Sequence, residues 1–204
     1  MLDEKHLAIT IADVSGKGVP AALFMMRSRT ILKNIAMMSA SHDDYAAVVS
    51  LANQQLCEDN DESMFVTVFF GALDLTTGEF AYVNGGHNPP LVCRNGKFDY
   101  LRMEKKSNML GLFDFETYHE YRLTLAPGDM IFLYTDGVTE AMNEAGELYS
   151  EERLQRTLNE QGEKNVKDIL TAVRENVGAY AGNAEQSDDI TMLGLKFLGD
   201  KKIS

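Results

Sequence analysis

The chain has 204 residues and a formal net charge of −12, with 45% hydrophobic and 25% charged residues, the length and balance of a soluble globular domain. So acidic a chain is ill suited to nucleic acid or to an anionic membrane surface, and no apolar run reaches the roughly 18 residues of a membrane span. Its two cysteines, Cys57 and Cys93, form no CxxC pair and no disulfide framework, which fits a reducing, cytoplasmic setting.

Met1-Leu-Asp-Glu-Lys5 carries no signal-peptide pattern and leads almost at once into an apolar strand, Leu7–Ala12. That abrupt start is expected of a fragment of a longer protein. Pro20–Met38 reads as a helix, with Phe24, Ile31, Ile35 and Met38 near one stripe joined by Ser28. Its methionines (Met25, Met26, Met37, Met38) are expected in the core, although a Met-rich face also suits an adaptable partner surface. Ser41 and Asp44 have capping-box spacing. The helix they open carries Val48, Leu51, Ala52 and Leu56 on one face.

The period then changes. Met64–Leu73 is apolar on both faces and rich in β-branched and aromatic residues, the pattern of a central strand. Asp74–Gly78 turns it into Glu79–Val83. Asn95-Gly96 predicts a type I′ hairpin between Leu91–Cys93 and Phe98–Leu101. Tyr118–Leu125 and Met130–Thr135 are further strands around a Pro127-Gly128 turn. Ser150 is expected to cap a helix with Glu151 and Glu152 in its first turn, where acids suit the dipole. Val166, Ile169, Leu170, Val173, Val177 and Tyr180 mark the next helix, and Ile190–Phe197 closes as a strand. Paired helices and a strand meander are not βαβ alternation. They predict an α+β fold: an antiparallel β-sandwich flanked by pairs of helices in α-β-β-α layers, one domain over residues 1–204.

Acidic residues end or open three of the apolar runs. Asp13 ends the first strand, Asp136 follows Met130–Thr135, and Asp188 with Asp189 opens the last strand. A carboxylate at the end of a buried strand must be paired, hydrogen-bonded or bound to a cation, and two adjacent ones repel unless a cation sits beside them. Asp13-Val-Ser-Gly16-Lys-Gly18-Val-Pro20 bends the chain from strand to helix, and a helix N-terminus beside an aspartate suits phosphate. Taken alone, each segment is also what an ordinary turn would show. Gly85-Gly-His87-Asn-Pro89-Pro90 is a stiff loop in which His87 is either a structural hydrogen-bonder or a general acid. His6, His42 and His119 are scattered, and neither a zinc pattern nor GxSxG appears. Hard oxygen ligands select Mg²⁺ or Mn²⁺. The chemistry expected from the acids is metal-assisted phosphate-ester hydrolysis.

Four blocks carry a resemblance: Asp13-Val-Ser-Gly-Lys-Gly-Val-Pro-Ala-Ala-Leu, Tyr82-Val-Asn-Gly-Gly-His-Asn-Pro-Pro-Leu, Leu133-Tyr-Thr-Asp-Gly-Val-Thr-Glu-Ala and Asp188-Asp-Ile-Thr. In this order they closely resemble the metal-dependent Ser/Thr protein phosphatases (the PPM family), in its bacterial stage II sporulation E and sigma-factor regulation branch. The resemblance implies a two-metal centre with two Mn²⁺ or Mg²⁺ ions. Asp13 would bridge both, the Val14 carbonyl would bind the second, and Asp136 and Asp188 would complete the first, with Asp189 in support. It implies attack by metal-bound water without a phosphoenzyme, on a phosphoserine or phosphothreonine of a small anti-sigma factor antagonist. Relatives carry a Gly-Gly-Asp strand upstream of the Asp13 strand; here Asp3 and Glu4 lack that context. The expected consequences are an open sheet edge, a homodimer or altered N-terminal packing, and an upstream sensor or receiver domain in the longer protein. The competing readings are a non-catalytic partner-binding module with an incomplete metal site, and a metal-sensing domain without hydrolysis.

Overall fold

The computed structural model describes residues 1–39, 44–186 and 188–199. The chain forms two compact units, residues 1–87 with 103–124 and residues 88–102 with 125 onward. Each contains one four-stranded antiparallel sheet with helices. The α+β class, antiparallel pairing and paired helices expected from the sequence are all observed.

In the first unit the strand order is β1-β2-β3-β6: β1 is His6–Val14, β2 Val66–Asp74, β3 Glu79–Gly85 and β6 Glu120–Thr124. β2 is central because both its faces are buried, as its two-sided apolar run requires. One face, Val66, Val68, Phe70 and Ala72, packs with helices α1 (Gly18–Met38) and α2 (Tyr45–Cys57). On the alternate face Phe69 stacks near Phe80 and Tyr82, and Tyr82 near Tyr121. The Asp44 side chain caps α2 by accepting from the Ala47 N–H at 2.9 Å. Glu120 of β6 accepts from the Tyr45 N–H at 2.7 Å, so the sheet also holds the start of α2. Ser41 and His42 lie outside the described residues.

The helix stripes need correction. α1 buries Phe24, Ser28, Leu32 and Ala36, while Ile31 and Ile35 pack at the margin. Met38 is 82% exposed and Met26 63%, with Met25 and Met37 also exposed, so these methionines are not core residues. α2 buries Val48, Ala52 and Leu56 as expected, but Leu51 faces solvent.

In the second unit the order is β5-β4-β7-β8, with β4 Leu91–Arg94, β5 Lys97–Tyr100, β7 Met130–Tyr134 and β8 Met192–Lys196. Asn95 and Gly96 both take positive φ, 51° and 75°, as a type I′ turn demands. Helices α4 (Ser150–Gln161) and α5 (Val166–Ala181) bury Leu154, Leu158, Ile169, Val173 and Val177 in one cluster with Leu91, Phe98 and Phe132. Ser150 opens α4 with a non-helical φ of 72°, and its side chain supplies the capping contact expected of it; Tyr149 before it makes no side-chain cap bond. The Ser150 Oγ lies 3.5 Å from the Arg153 N–H. A short helix α3, Asp136–Thr139, follows β7 after Thr135, where the ordinary-turn alternative has no helix.

Candidate metal centre

In the first unit, Asp13 and Val14 are the last two residues of β1. They pair with Thr67 and Val66 of β2. Beyond them the Ser15 N–H donates to the Phe65 carbonyl at 2.9 Å, and the Phe65 N–H to Ser15 Oγ at 3.0 Å. The strand is therefore stitched to its neighbour past the aspartate. Gly16 and Gly18 then adopt φ of +81° and +78°, a left-handed bend that residues with a Cβ rarely adopt. Asp13 is half-buried.

His87 belongs to the same unit and is 6% exposed. Its Nδ1 lies 2.9 Å from Thr67 Oγ1. Its backbone is gripped by one side chain: the His87 N–H donates to Asn84 Oδ1 at 2.7 Å, and Asn84 Nδ2 donates to the His87 carbonyl at 2.9 Å. Asp3 is accounted for locally. His6 and the backbone N–H groups of Lys5 and His6 bond its carboxyl and hold it well below the usual carboxylate range.

Asp136, Asp188 and Asp189 lie in the second unit. Asp136 opens α3 after β7 and Thr135, in the first turn, where a carboxylate suits the helix dipole. The loop carrying Asp188 and Asp189 is brought against this point by Thr135. Its N–H donates to the Thr191 carbonyl at 3.0 Å, its Oγ1 donates to the Asp189 carbonyl at 3.0 Å, and it accepts from the Thr191 N–H at 3.0 Å. Gly137 permits the approach: a Cβ there would lie 2.4 Å from the Asp189 carbonyl oxygen. Asp188 Oδ1 accepts from the Asp189 N–H at 2.8 Å. Asp136 Oδ1 is buried and, among the described residues, has no hydrogen-bond partner. Such an atom is costly unless something cationic meets it, so the donors present fit a divalent cation.

Thr67, Thr135 and Asn84 escaped the sequence reading. Thr67 is the one polar side chain in Val66–Leu73, and that interruption was the available signal.

The SiaA PP2C domain of Pseudomonas aeruginosa superposes with a TM-score of 0.83 at 22% identity, covering 96% of this chain and 77% of that one. RsbX, solved in complex with magnesium, gives 0.66 at 18% identity over 94% and 82% of the two chains. The fold is that of the PP2C-type phosphatases. The sequence model of stage II sporulation protein E (SpoIIE) matches residues 3–198, and the chain belongs to that family of Ser/Thr phosphatase domains. The phosphoserine phosphatase RsbU of Bacillus subtilis is 27% identical over 194 residues, 95% of this chain and 56% of RsbU. The chain spans between 34% and 56% of the length of the curated relatives it matches. Among the described residues no helix is long and apolar enough to cross a membrane.

Proposed function

We propose that this chain is a phosphoserine/phosphothreonine phosphatase domain, the output module of a longer cytoplasmic signalling protein, acting on a small phosphoprotein of the anti-sigma factor antagonist type. The observation that carries the metal-dependent reading is the buried Asp136 Oδ1, which has no hydrogen-bond partner among the described residues. Asp13, Asp136 and Asp188 would hold the cations, with the Val14 carbonyl and Asp189 in support. Two Mg²⁺ or Mn²⁺ ions would supply activation of a water molecule and neutralisation of phosphate oxygens. The chain's own part is to fix these carboxylates: β1 and β2 hold Asp13, and Thr135 with Gly137 holds the Asp188 loop beside Asp136. The magnesium in RsbX and the phosphoserine phosphatase RsbU among the relatives support the reading, as do two free cysteines for the cytoplasm.

The test is phosphate release from a phosphoprotein and from p-nitrophenyl phosphate, with and without Mn²⁺. Release should depend on Mn²⁺ and fall to background in Asp13→Asn and Asp136→Asn. Retained release in both variants would sink the assignment. A chain that binds no Mn²⁺ by calorimetry and releases no phosphate would instead be a partner-binding module; one that binds Mn²⁺ without turnover would be a metal sensor.

A further inference from the structure

His87 is a buried histidine to which the ligand set gives no task. The protein nonetheless builds an anchor for it. Asn84 grips its backbone on both sides. The two residues between them have no room for a side chain: a Cβ on Gly85 would lie 2.4 Å from Leu110, and one on Gly86, at φ +73°, would lie 2.8 Å from the Met109 nitrogen.

What the anchor presents is a ring nitrogen to Thr67. The Thr67 hydroxyl lies 2.9 Å from His87 Nδ1 and 3.4 Å from the Asp13 carbonyl oxygen. A hydroxyl has one proton and a carbonyl can only accept. With a bare Nδ1, Thr67 gives its proton to the ring and none to Asp13. With a proton on Nδ1, the ring donates to Oγ1, and the hydroxyl proton is free for the Asp13 carbonyl. The three groups then make two hydrogen bonds instead of one.

We infer that His87 is the Nδ1–H tautomer, and that His87 and Thr67 are positioning residues that orient the Asp13–Val14 peptide through the Asp13 carbonyl. That peptide links the two groups proposed to meet metal from the first unit, the Asp13 carboxylate on one side and the Val14 carbonyl on the other. The metal consequence rests on the proposed function; the tautomer and the peptide restraint do not. Groups that orient ligands from behind change metal affinity by about 10–100-fold when removed.

The experiment compares Thr67→Val, which keeps the shape and loses the hydroxyl, with Thr67→Ser, which restores the hydroxyl, and His87→Leu with His87→Asn, whose amide can stand in for Nδ1. Three readouts are taken. A long-range ¹⁵N–¹H correlation spectrum of the metal-free protein should show the proton on His87 Nδ1. Exchange of the Ser15 amide, whose bond to Phe65 follows the Asp13–Thr67 pair, should quicken about tenfold in Thr67→Val and recover in Thr67→Ser. Mn²⁺ affinity by calorimetry should fall about 10–100-fold in Thr67→Val and His87→Leu and recover in Thr67→Ser and His87→Asn. A proton on Nε2 with a bare Nδ1 overturns the inference. So does a Thr67→Val protein matching the parent in Ser15 exchange, or a Thr67→Ser protein no better than Thr67→Val. Should the parent bind no Mn²⁺, the metal reading fails on its own, and the spectrum and the exchange rates still decide the positioning role.

Discussion

A buried carboxylate oxygen without a hydrogen bond costs on the order of 1–3 kcal/mol or more, and among the described residues Asp136 Oδ1 is such an atom. In metal-free protein, Asp136→Asn should therefore melt at or above the parent temperature while losing its response to metal. Adding Mn²⁺ should raise the melting temperature of the parent, because a ligand bound only by the folded state stabilises it, and leave the variant unmoved. Scanning calorimetry with and without Mn²⁺ checks both. Asp74 is the opposite case, a carboxylate fully served by its turn. The Thr76 hydroxyl and N–H donate to its Oδ1 at 2.6 and 2.7 Å, and these bonds, the hydroxyl first, bring its carboxyl down to about 2. A folded pKa below the unfolded value of about 4 means that this stabilisation is present above pH 4 and fades as pH falls through 2. Thr76→Ala should return the carboxyl towards its ordinary range in an NMR titration. The aspartates were legible because acids at the ends of apolar strands break a pattern. Thr67 was not, since threonine is common in strands and its role depends on a histidine 20 residues away.

At the scale of the element, α1 shows where periodicity fails. Apolar residues lie all round it, so spacing alone cannot say which stripe is buried. Proximity to the sheet decides for Leu32 and Ala36 and leaves the methionines outside. Leu32→Ala should cost about 2–5 kcal/mol in urea unfolding, whereas Met26→Lys should change stability by no more than about 0.5 kcal/mol. The short helix α3 was missed for a different reason: Asp-Gly is a turn signal, but this glycine is needed for the approach of the Asp189 carbonyl. Gly137→Ala should push that loop away, lose about 1–3 kcal/mol of stability and weaken Mn²⁺ binding, measurable by unfolding and calorimetry together. The Asn95-Gly96 hairpin was fully legible, because its signal is local to two residues.

For the whole molecule, chain order disclosed the class of fold but not the allotment of strands. β6 and β7 are neighbours in sequence, joined through Leu125–Asp129, yet they belong to different sheets. Nothing local specifies this, since pairing partners are chosen by distant residues. Each sheet has its own helical layer and its own apolar cluster. Leu56→Ala in one and Leu158→Ala in the other, both fully buried, should each cost about 2–5 kcal/mol, read as lowered urea midpoints.

The interleaving of the two units along the chain bears on how the protein is made. The β4–β5 hairpin leaves the ribosome before β6 completes the first sheet and β7 flanks its own, and long before β8 extends it. At about 5–20 residues per second this hairpin waits roughly 2–7 seconds for β7 and longer for β8, and a lone two-stranded hairpin is marginal in water. Through that interval Leu91 and Phe98, later fully enclosed, are exposed to whatever is nearby. The nascent chain is most vulnerable to aggregation, and most dependent on chaperones, between the emergence of Tyr100 and that of Lys196.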